Sequence, residues 1–568
     1  MEQDLKQVHA YLPTALADYR SGKMDRREFI RTSTLLGLSA VSAYALAGGP
    51  ADADPLTGEP LGIEQVAEAT GGTVRVSMRC PAIDNPATFS WVYDSNIVRQ
   101  VCDYLTRTGA DNVTRPWLLE KWEATEDVKT WTFYLKKGIK WSNGEELVAD
   151  HVIWNLKRWV DPAVGSSVLS FFKDTLLEEY DTGEKDDKGN PKKSLKLYAD
   201  NAIEKVDDHT IRLNGKAGSI AMPEALFHYP ALILHPSENG KFGPNSIGTG
   251  AFTLESYEVG KRAVLKRRDG YWGTPAKLDG VEFIDHGDDA SAGLAALASK
   301  QVHAMYEAQT TQFAALKKLT HVDIKQVVTA STAVARMQET NDIWKDPRVR
   351  KAMRMALDTQ KLLKICYLGL GAPGEHHHVC KVHPEYADVG FMKPDIAGAK
   401  KLLAEAGKPN GFDAELICKS ETAWEPIAAQ AMAQMWKQIG ANIKITVLPG
   451  PQYWDIWTSP KAPFALTNWQ HRPLGVMVLS LAYKTGVAWN EAHWSNATFD
   501  KLIAQAEATL DVEKRRAIMV DIEKLMLEEG PICLPLWRSF FTAVDKRVKG
   551  YVLHPSQYLF MDEWSLSA

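Results

Sequence analysis

Lys129-Thr130-Trp131-Thr132-Phe133-Tyr134-Leu135-Lys136, followed by Gly138, Asn143-Gly144 and then Asp150 with Val152, Leu156 and Trp159, is the stretch that sets the fold class. Its first eight residues alternate apolar and polar, the period of a half-buried strand. Gly138 and Asn143-Gly144 punctuate turns. Asp150 is expected to cap a helix, because Val152, Leu156 and Trp159 fall near helical spacing and a carboxylate satisfies the free N–H groups of a first turn. Strand, turn and helix succeed one another in one short span.

The alternation continues outward. Thr73 to Met78 places Val74 and Val76 on one face and reads as a first strand. Pro394-Asp395 opens a helix whose buried stripe is Ala399, Leu402, Leu403 and Ala406, with Gly407 as left-handed C-terminal cap. A further helix, 427–439, is expected to end the same way at Gly440. Residues 181–193, charged and without an apolar face, read as a solvent-exposed loop that carries no chemistry. No solenoid-type repeat is present, so the fold class is α/β.

The 568 residues, 45% hydrophobic and 24% charged, suffice for two or three domains with real cores. A net charge of -5 excludes a nucleic-acid binder, and no apolar run after the leader approaches the length of a membrane span. The six cysteines are too few for a disulfide scaffold. Cys366 and Cys380 would close a short loop, and the sequence leaves their pairing open.

Met24-Asp25-Arg26-Arg27-Glu28-Phe29-Ile30-Arg31 precedes an uncharged run from Thr32 to Ala47 that is short and rich in Ser, Gly and Ala. Residues 1–47 therefore read as an export leader of twin-arginine type and 48–71 as a linker, with the mature protein soluble and periplasmic. An amphipathic helix with a basic start is the alternative. No cysteine stands where a lipid anchor would need one.

A search for catalysis finds little. Gly369-Leu370-Gly371-Ala372-Pro373-Gly374 matches a dinucleotide fingerprint in form only, because it follows a helical segment and leads into histidines rather than a helix. His376, His377, His378, Cys380 and His383 are metal-ligating types, yet consecutive side chains diverge and a closed zinc site needs four that converge. No Walker loop, serine nucleophile elbow or His-Glu-x-x-His helix is present, so no enzyme, cofactor or metal is expected. Trp is abundant, however, and Trp91, Trp424, Trp454, Trp457, Trp469, Trp489 and Trp494 stand beside polar loop signals. Each taken singly is more often core; their grouping suggests a ligand cleft.

Four blocks carry a resemblance over nearly all of the mature chain: Leu118-Leu119-Glu120-Lys121-Trp122-Glu123 continuing to Gly138-Ile139-Lys140-Trp141-Ser142-Asn143-Gly144; Ile247-Gly248-Thr249-Gly250-Ala251-Phe252; Tyr271-Trp272-Gly273; and Asp346-Pro347-Arg348-Val349-Arg350-Lys351-Ala352 with Ala356-Leu357-Asp358. In order and spacing they resemble the extracytoplasmic solute-binding proteins of the dipeptide/oligopeptide/nickel class, bacterial family 5, that feed ABC importers.

The resemblance implies a bilobal periplasmic-binding-protein-like fold of type II that closes on its solute by a hinge motion. Lobe I would comprise 72–285 and 535–568, with an extra subdomain at about 88–220, and lobe II would comprise 286–534. The expected partners are a small-molecule or peptide-like solute and an ABC permease at the inner membrane, the receptor acting as a monomer. The implied cleft residues are Phe89, Ser90, Trp91 and Tyr93 in lobe I, with Lys419, Trp424, Trp469, His471 and Arg472 in lobe II. Dipeptide-binding relatives place an Asp where this chain has Arg472 and a cation near Lys419. Two cleft cations would suit an anionic or acylated solute. A displaced acid, Asp455 or Glu491, or an internal carboxylate partner for Arg472, would restore the ordinary peptide reading. A metal or metallophore receptor using His376–His383 and an exported hydrolase on the same outline are the competing functions.

Overall fold

The structure is a computed structural model that describes residues 5–6, 8–38, 40–48, 70–185, 191–287 and 289–567. Apart from its ends, the expected linker lies outside these residues.

The strand that decides the fold class runs from Thr130 to Leu135 and turns Trp131, Phe133 and Leu135 inward. It pairs antiparallel with Leu119–Ala124 and Thr210–Asn214, and Ile203–Asp207 completes a four-stranded sheet. The helix that follows is Ala149–Val160, with Val148 rather than Asp150 at its cap. His151 takes over the capping work, its Nδ1 accepting from the Val148 N–H at 3.3 Å. Asp150, one turn position later, instead accepts from Lys205 on the neighbouring strand at 2.7 Å.

The main sheet has its strands in the order Phe252–Glu258, Arg262–Arg267, Gly280–Ile284, Thr73–Ser77, Ala304–Met305, Leu536–Asp545, Val322–Met337, Phe464–Trp469, Phe412–Lys419 and Ala441–Leu448. Thr73–Ser77 is parallel to both neighbours. The long antiparallel pair Val322–Met337 and Leu536–Asp545 joins the two halves, with its register broken between Val328 and Ser331. One core gathers Val74, Trp131, Leu254 and Phe283 and takes in Val544 and Trp564 from the returning chain. Another gathers Leu297, Met353, Trp436 and Phe464, adjoined by a cluster around Leu479 and Met526. The fold is thus bilobal α/β, with the four-stranded sheet as an added layer on the first lobe.

Two expected helix ends hold. The Asp395 carboxylate accepts from the Gly398 N–H, and Ile396–Glu405 buries Ala399 and Leu403 while Leu402 and Ala406 are half-buried. Gly407 and Gly440 both have positive φ (78° and 84°), where a side chain would be strained. The second helix starts earlier than expected, at Trp424, and ends in a 3-10 turn over Lys437–Ile439. The expected loop at 181–193 is instead part of an exposed hairpin of Leu177–Lys185 and Pro191–Leu197. Leu177, Leu195 and Leu197 anchor its base on the first core, and toward the tip charges of opposite sign, such as Lys192 with Glu184, pair across it.

In the block 247–252 the glycines allow close approach. A Cβ on Gly248 would collide with the Val101 carbonyl oxygen. Gly371–Pro373, within the rejected fingerprint, is a short strand paired with Leu536–Arg538. All six cysteines are buried free thiols, Cys366 and Cys380 included. At the N-terminal end, helices Leu12–Arg20, Arg26–Leu35 and Ala40–Leu46 lie against the body.

Candidate functional site

Trp91 stands between the lobes, at the N-cap of helix Val92–Val98, with its ring 5.7 Å from Trp454 of the other lobe. Burial pushes the carboxyl of Asp94, in the first turn of that helix, up to about 8. Trp91 lines two cavities. The larger, about 150 Å³, is lined by Ser77, Tyr93, His286, Tyr306, Glu307 and Glu421 among others.

The smaller cavity, about 30 Å³, is partly open, and the two lobes meet beside it where the Trp91 and Trp454 rings approach. Ser90, Trp91 and Tyr229 form its first-lobe wall; Trp454, Trp457, Trp469 and Trp489 supply aromatic faces from the second lobe. Strand Phe464–Trp469, buried along its whole length between Val322–Met337 and Phe412–Lys419, delivers the polar side chains Asn468, Gln470 and Arg472 to this cavity from its C-terminal end. Arg472 is 5% exposed, donates from Nη1 to the carbonyls of Gln470 and His471 at 3.3 and 3.1 Å, and lies 5.5 Å from the Tyr229 ring centre. Its Nε, both amide atoms of Asn468 and the Gln470 amide nitrogen find no hydrogen-bond partner among the described residues. Buried polar atoms are nearly always paired, so this cluster facing a cavity is arranged for something that occupies it.

The expected site residues divide. Ser90, Trp91, Trp469 and Arg472 line the small cavity, and Tyr93 lines the large one. Phe89 does not line either; it is core of the first lobe. Trp424 packs edge-on against Tyr367 in the second core. His471 is consumed in an interlobe link: Nδ1 accepts from the Ala330 N–H at 3.0 Å, leaving Nε2–H to donate to Asn112 Oδ1 at 2.9 Å. Lys419 is fully buried 2.5 Å from Glu425, so it is neutralised and the idea of two free cleft cations fails. Arg472 alone remains of that pair. The displaced acids fail too. Glu491 is spent on Trp469 Nε1 at 2.9 Å and Arg336 Nε at 3.0 Å, while Asp455 is exposed beyond the end of helix Gly450–Trp454. No ion pair to Arg472 occurs among the described residues. Sequence reasoning missed Tyr229, Asn468 and Gln470; the last two flank Trp469 at alternate positions, which could have flagged them.

Residues 113–489 match the description "Bacterial extracellular solute-binding proteins, family 5 Middle". The chain belongs to that family. It is 26% identical to the dipeptide-binding protein of Escherichia coli K12, over 78% of this chain and 84% of that one. Among solved structures, AgaA of A. tumefaciens R10 in complex with agropinic acid superposes with a TM-score of 0.76 at 21% identity, covering 88% of this chain and 99% of that one. AppA of Bacillus subtilis in complex with a nonapeptide gives 0.75 at 19%, covering 88% and 100%. The protein is a solute-binding receptor.

Within this family 5 receptor the histidine cluster diverges, as consecutive side chains must. His376 Nδ1 accepts from Leu534 N–H at 2.9 Å, His378 Nδ1 meets the Tyr483 hydroxyl at 2.5 Å, and His383 turns to the Arg472 carbonyl at 3.1 Å. Left-handed backbone at His376 and His378 (φ 66° and 59°) throws neighbouring rings apart. A closer trio, Glu145, His151 and His235, lies away from the cleft. There Trp141 Nε1 donates to His151 Nδ1 and Ser237 N–H to His235 Nδ1. Both rings therefore carry their proton on Nε2 and direct it at the Glu145 carboxylate, at 3.1 and 3.0 Å. The lone pairs a metal would need are not offered.

Proposed function

We propose that this receptor captures, outside the cytoplasm, a small polar organic solute that presents an anionic or acyl acceptor group to Arg472, and delivers it to an ABC permease without turning it over. One observation carries the reading: a buried guanidinium without a carboxylate partner among the described residues, in an aromatic cavity between two lobes. Closing lobes over an uncompensated cation is costly, whereas a solute carboxylate, phosphate or acyl oxygen offsets it through charge-assisted hydrogen bonds. A free peptide ammonium there would be repelled. The fold alone does not choose, since AppA holds a nonapeptide and AgaA agropinic acid.

The same reading takes residues 1–47 as a twin-arginine leader, the mature protein as a periplasmic monomer, 72–285 with 535–568 as one lobe and 286–534 as the other. The two separate cores support that division in outline, although Leu536, Phe541 and Ala543 pack in the second core and only Val544 onward in the first. Native mass spectrometry of gently purified protein should find a retained acidic or acylated solute. Calorimetry with Ala-Ala and N-acetyl-Ala-Ala tests the charge logic, the acetylated form being expected to bind more tightly. Arg472→Ala should weaken binding of the preferred form by about 2 to 5 kcal/mol, as for one partner of a buried charge-assisted pair; Arg472→Asp should begin to admit Ala-Ala. Binding by Arg472→Ala as tight as the parent's would end the anionic-ligand reading.

A further inference from the structure

Residues 27–35 are buried throughout, an unusual state for a helix at the margin of a protein, since a surface helix keeps one polar face in water. Two lobes cover it. From the second lobe, Arg515 Nη2 donates to Glu28 Oε1 at 2.7 Å and the Val382 carbonyl accepts from Arg27 at 2.7 Å. From the first lobe, Glu224 lies 3.5 Å from Arg31 Nη1, and Trp122 Nε1 donates to the Leu35 carbonyl. Arg31 Nε donates to Glu28 Oε2 at 3.0 Å, which closes an alternating row of buried charges: Arg515, Glu28, Arg31, Glu224. The flanking segments repeat the pattern. The Tyr44 hydroxyl donates to Asp111 of the first lobe, and Arg516 of the second reaches the Lys23 carbonyl at 3.4 Å.

We propose that the groove formed by Glu224, Trp122, Val382 and Arg515 is an interlobe docking surface whose occupant is the chain's own arginine-pair helix, and that the docked segment clasps the lobes shut. Opening the hinge would separate the first-lobe contacts from the second-lobe contacts. Because Glu28 has no exposure, breaking either side strands a buried charge. The full chain is thereby held closed, and its solute cavity exchanges only when the segment leaves the groove. The Arg27 guanidinium is covered by the same contacts, so release of the lobes and presentation of the arginine pair are one event. This inference rests on the two-lobed receptor reading.

The test uses the full chain with a protease site inserted between residues 51 and 62, cut after purification. The severed segment is expected to co-elute with the body at micromolar concentration, and hydrogen exchange at 467–472 and at Asn112 to stay as slow as in the uncut chain. Glu28→Ala should release the segment and speed exchange at those interlobe positions at least tenfold, leaving strands Thr130–Leu135 and Thr210–Asn214 unchanged as a folding control. Arg31→Ala, which removes the Glu224 link and one partner of Glu28 but leaves Trp122 on the Leu35 carbonyl and Arg515 on Glu28, is the second variant and should do so partially. Dissociation of the parent segment on cutting, or unchanged interlobe exchange after release, overturns the clasp. The Arg472 binding comparison, made on protein from which the segment has been released, does not depend on the clasp, so the clasp can fail while the receptor reading stands.

Discussion

At the scale of single residues, charge at this site is decided by which partners the fold supplies. Lys419 and Arg472 look equivalent in sequence, yet Glu425 lies six positions after Lys419, within reach across a strand end and the following helix start, and neutralises it. Nothing near Arg472 in the chain announces that it lacks such a partner among the described residues. The tryptophans show the same limit. Trp91, Trp454, Trp457, Trp469 and Trp489 converge on one cavity, while Trp424 and Trp494 are core; polar neighbours in sequence could not separate the five from the two, because only the closed lobes bring the five together. Titration, too, is set by burial. Glu523 is pushed up to about 9 by desolvation, with Oε1 accepting from the Ala387 N–H at 3.1 Å and Glu375, Glu385 and Asp388 adding like charge. The facing His377 is lowered to about 3 by burial, so the two meet as neutral groups. A carboxyl raised in the folded state favours the folded form below its unfolded value, and that contribution is lost as pH climbs toward about 9. Glu523→Gln should therefore raise the melting temperature at pH 8.5 and change it little at pH 4, as scanning calorimetry over that range would read. An equal shift at both values would mean the carboxyl is not raised.

At the scale of elements, what could be read in advance was local. The alternation of Thr130–Leu135 and the glycine ends at Gly407 and Gly440 follow from side-chain period and φ alone. The cap at Val148 and the hairpin around residues 181–193 did not follow, since each depends on partners, His151 in one case and cross-strand charges in the other. The helix Arg26–Leu35 combines both kinds of information. Its sequence reads as an export address, and its Asp25 cap, accepting from the Glu28 N–H at 2.8 Å, starts it just before the arginine pair. Arg26→Lys with Arg27→Lys keeps both charges and leaves the Glu28, Arg31 and Arg515 row intact. The double variant is expected to accumulate in the cytoplasm, by fractionation, with a small loss of thermal stability by calorimetry because the Arg27 bond to the Val382 carbonyl is lost. Normal periplasmic levels would show that the general secretory route accepts the leader.

At the scale of the whole molecule, the two lobes are tied by a continuous sheet rather than by a loose linker, and the register of Val322–Met337 on Leu536–Asp545 breaks between Val328 and Ser331. Val328, at the edge of the break, is 57% exposed, whereas Thr329, Ala330 and Ser331 within it are buried. Opening at this point would part His471 from Asn112 and Lys484 from Asp174, contacts that cross between the lobes. A solute touching Trp91 on one side and Arg472 on the other binds the closed form better than the open one and shifts the population toward it. The clasp adds a second bias in the same direction, so the full chain alone should show little change in shape. With the segment released by Glu28→Ala, the radius of gyration from small-angle scattering should rise without solute and fall, by a small but systematic amount, when the solute identified by mass spectrometry is added. Cleavage near Val328 should rise and fall with it. A tight solute that alters neither the scattering curve nor the cleavage rate of the released protein would show that these lobes do not move relative to one another on binding, and that capture proceeds through a cleft already shaped.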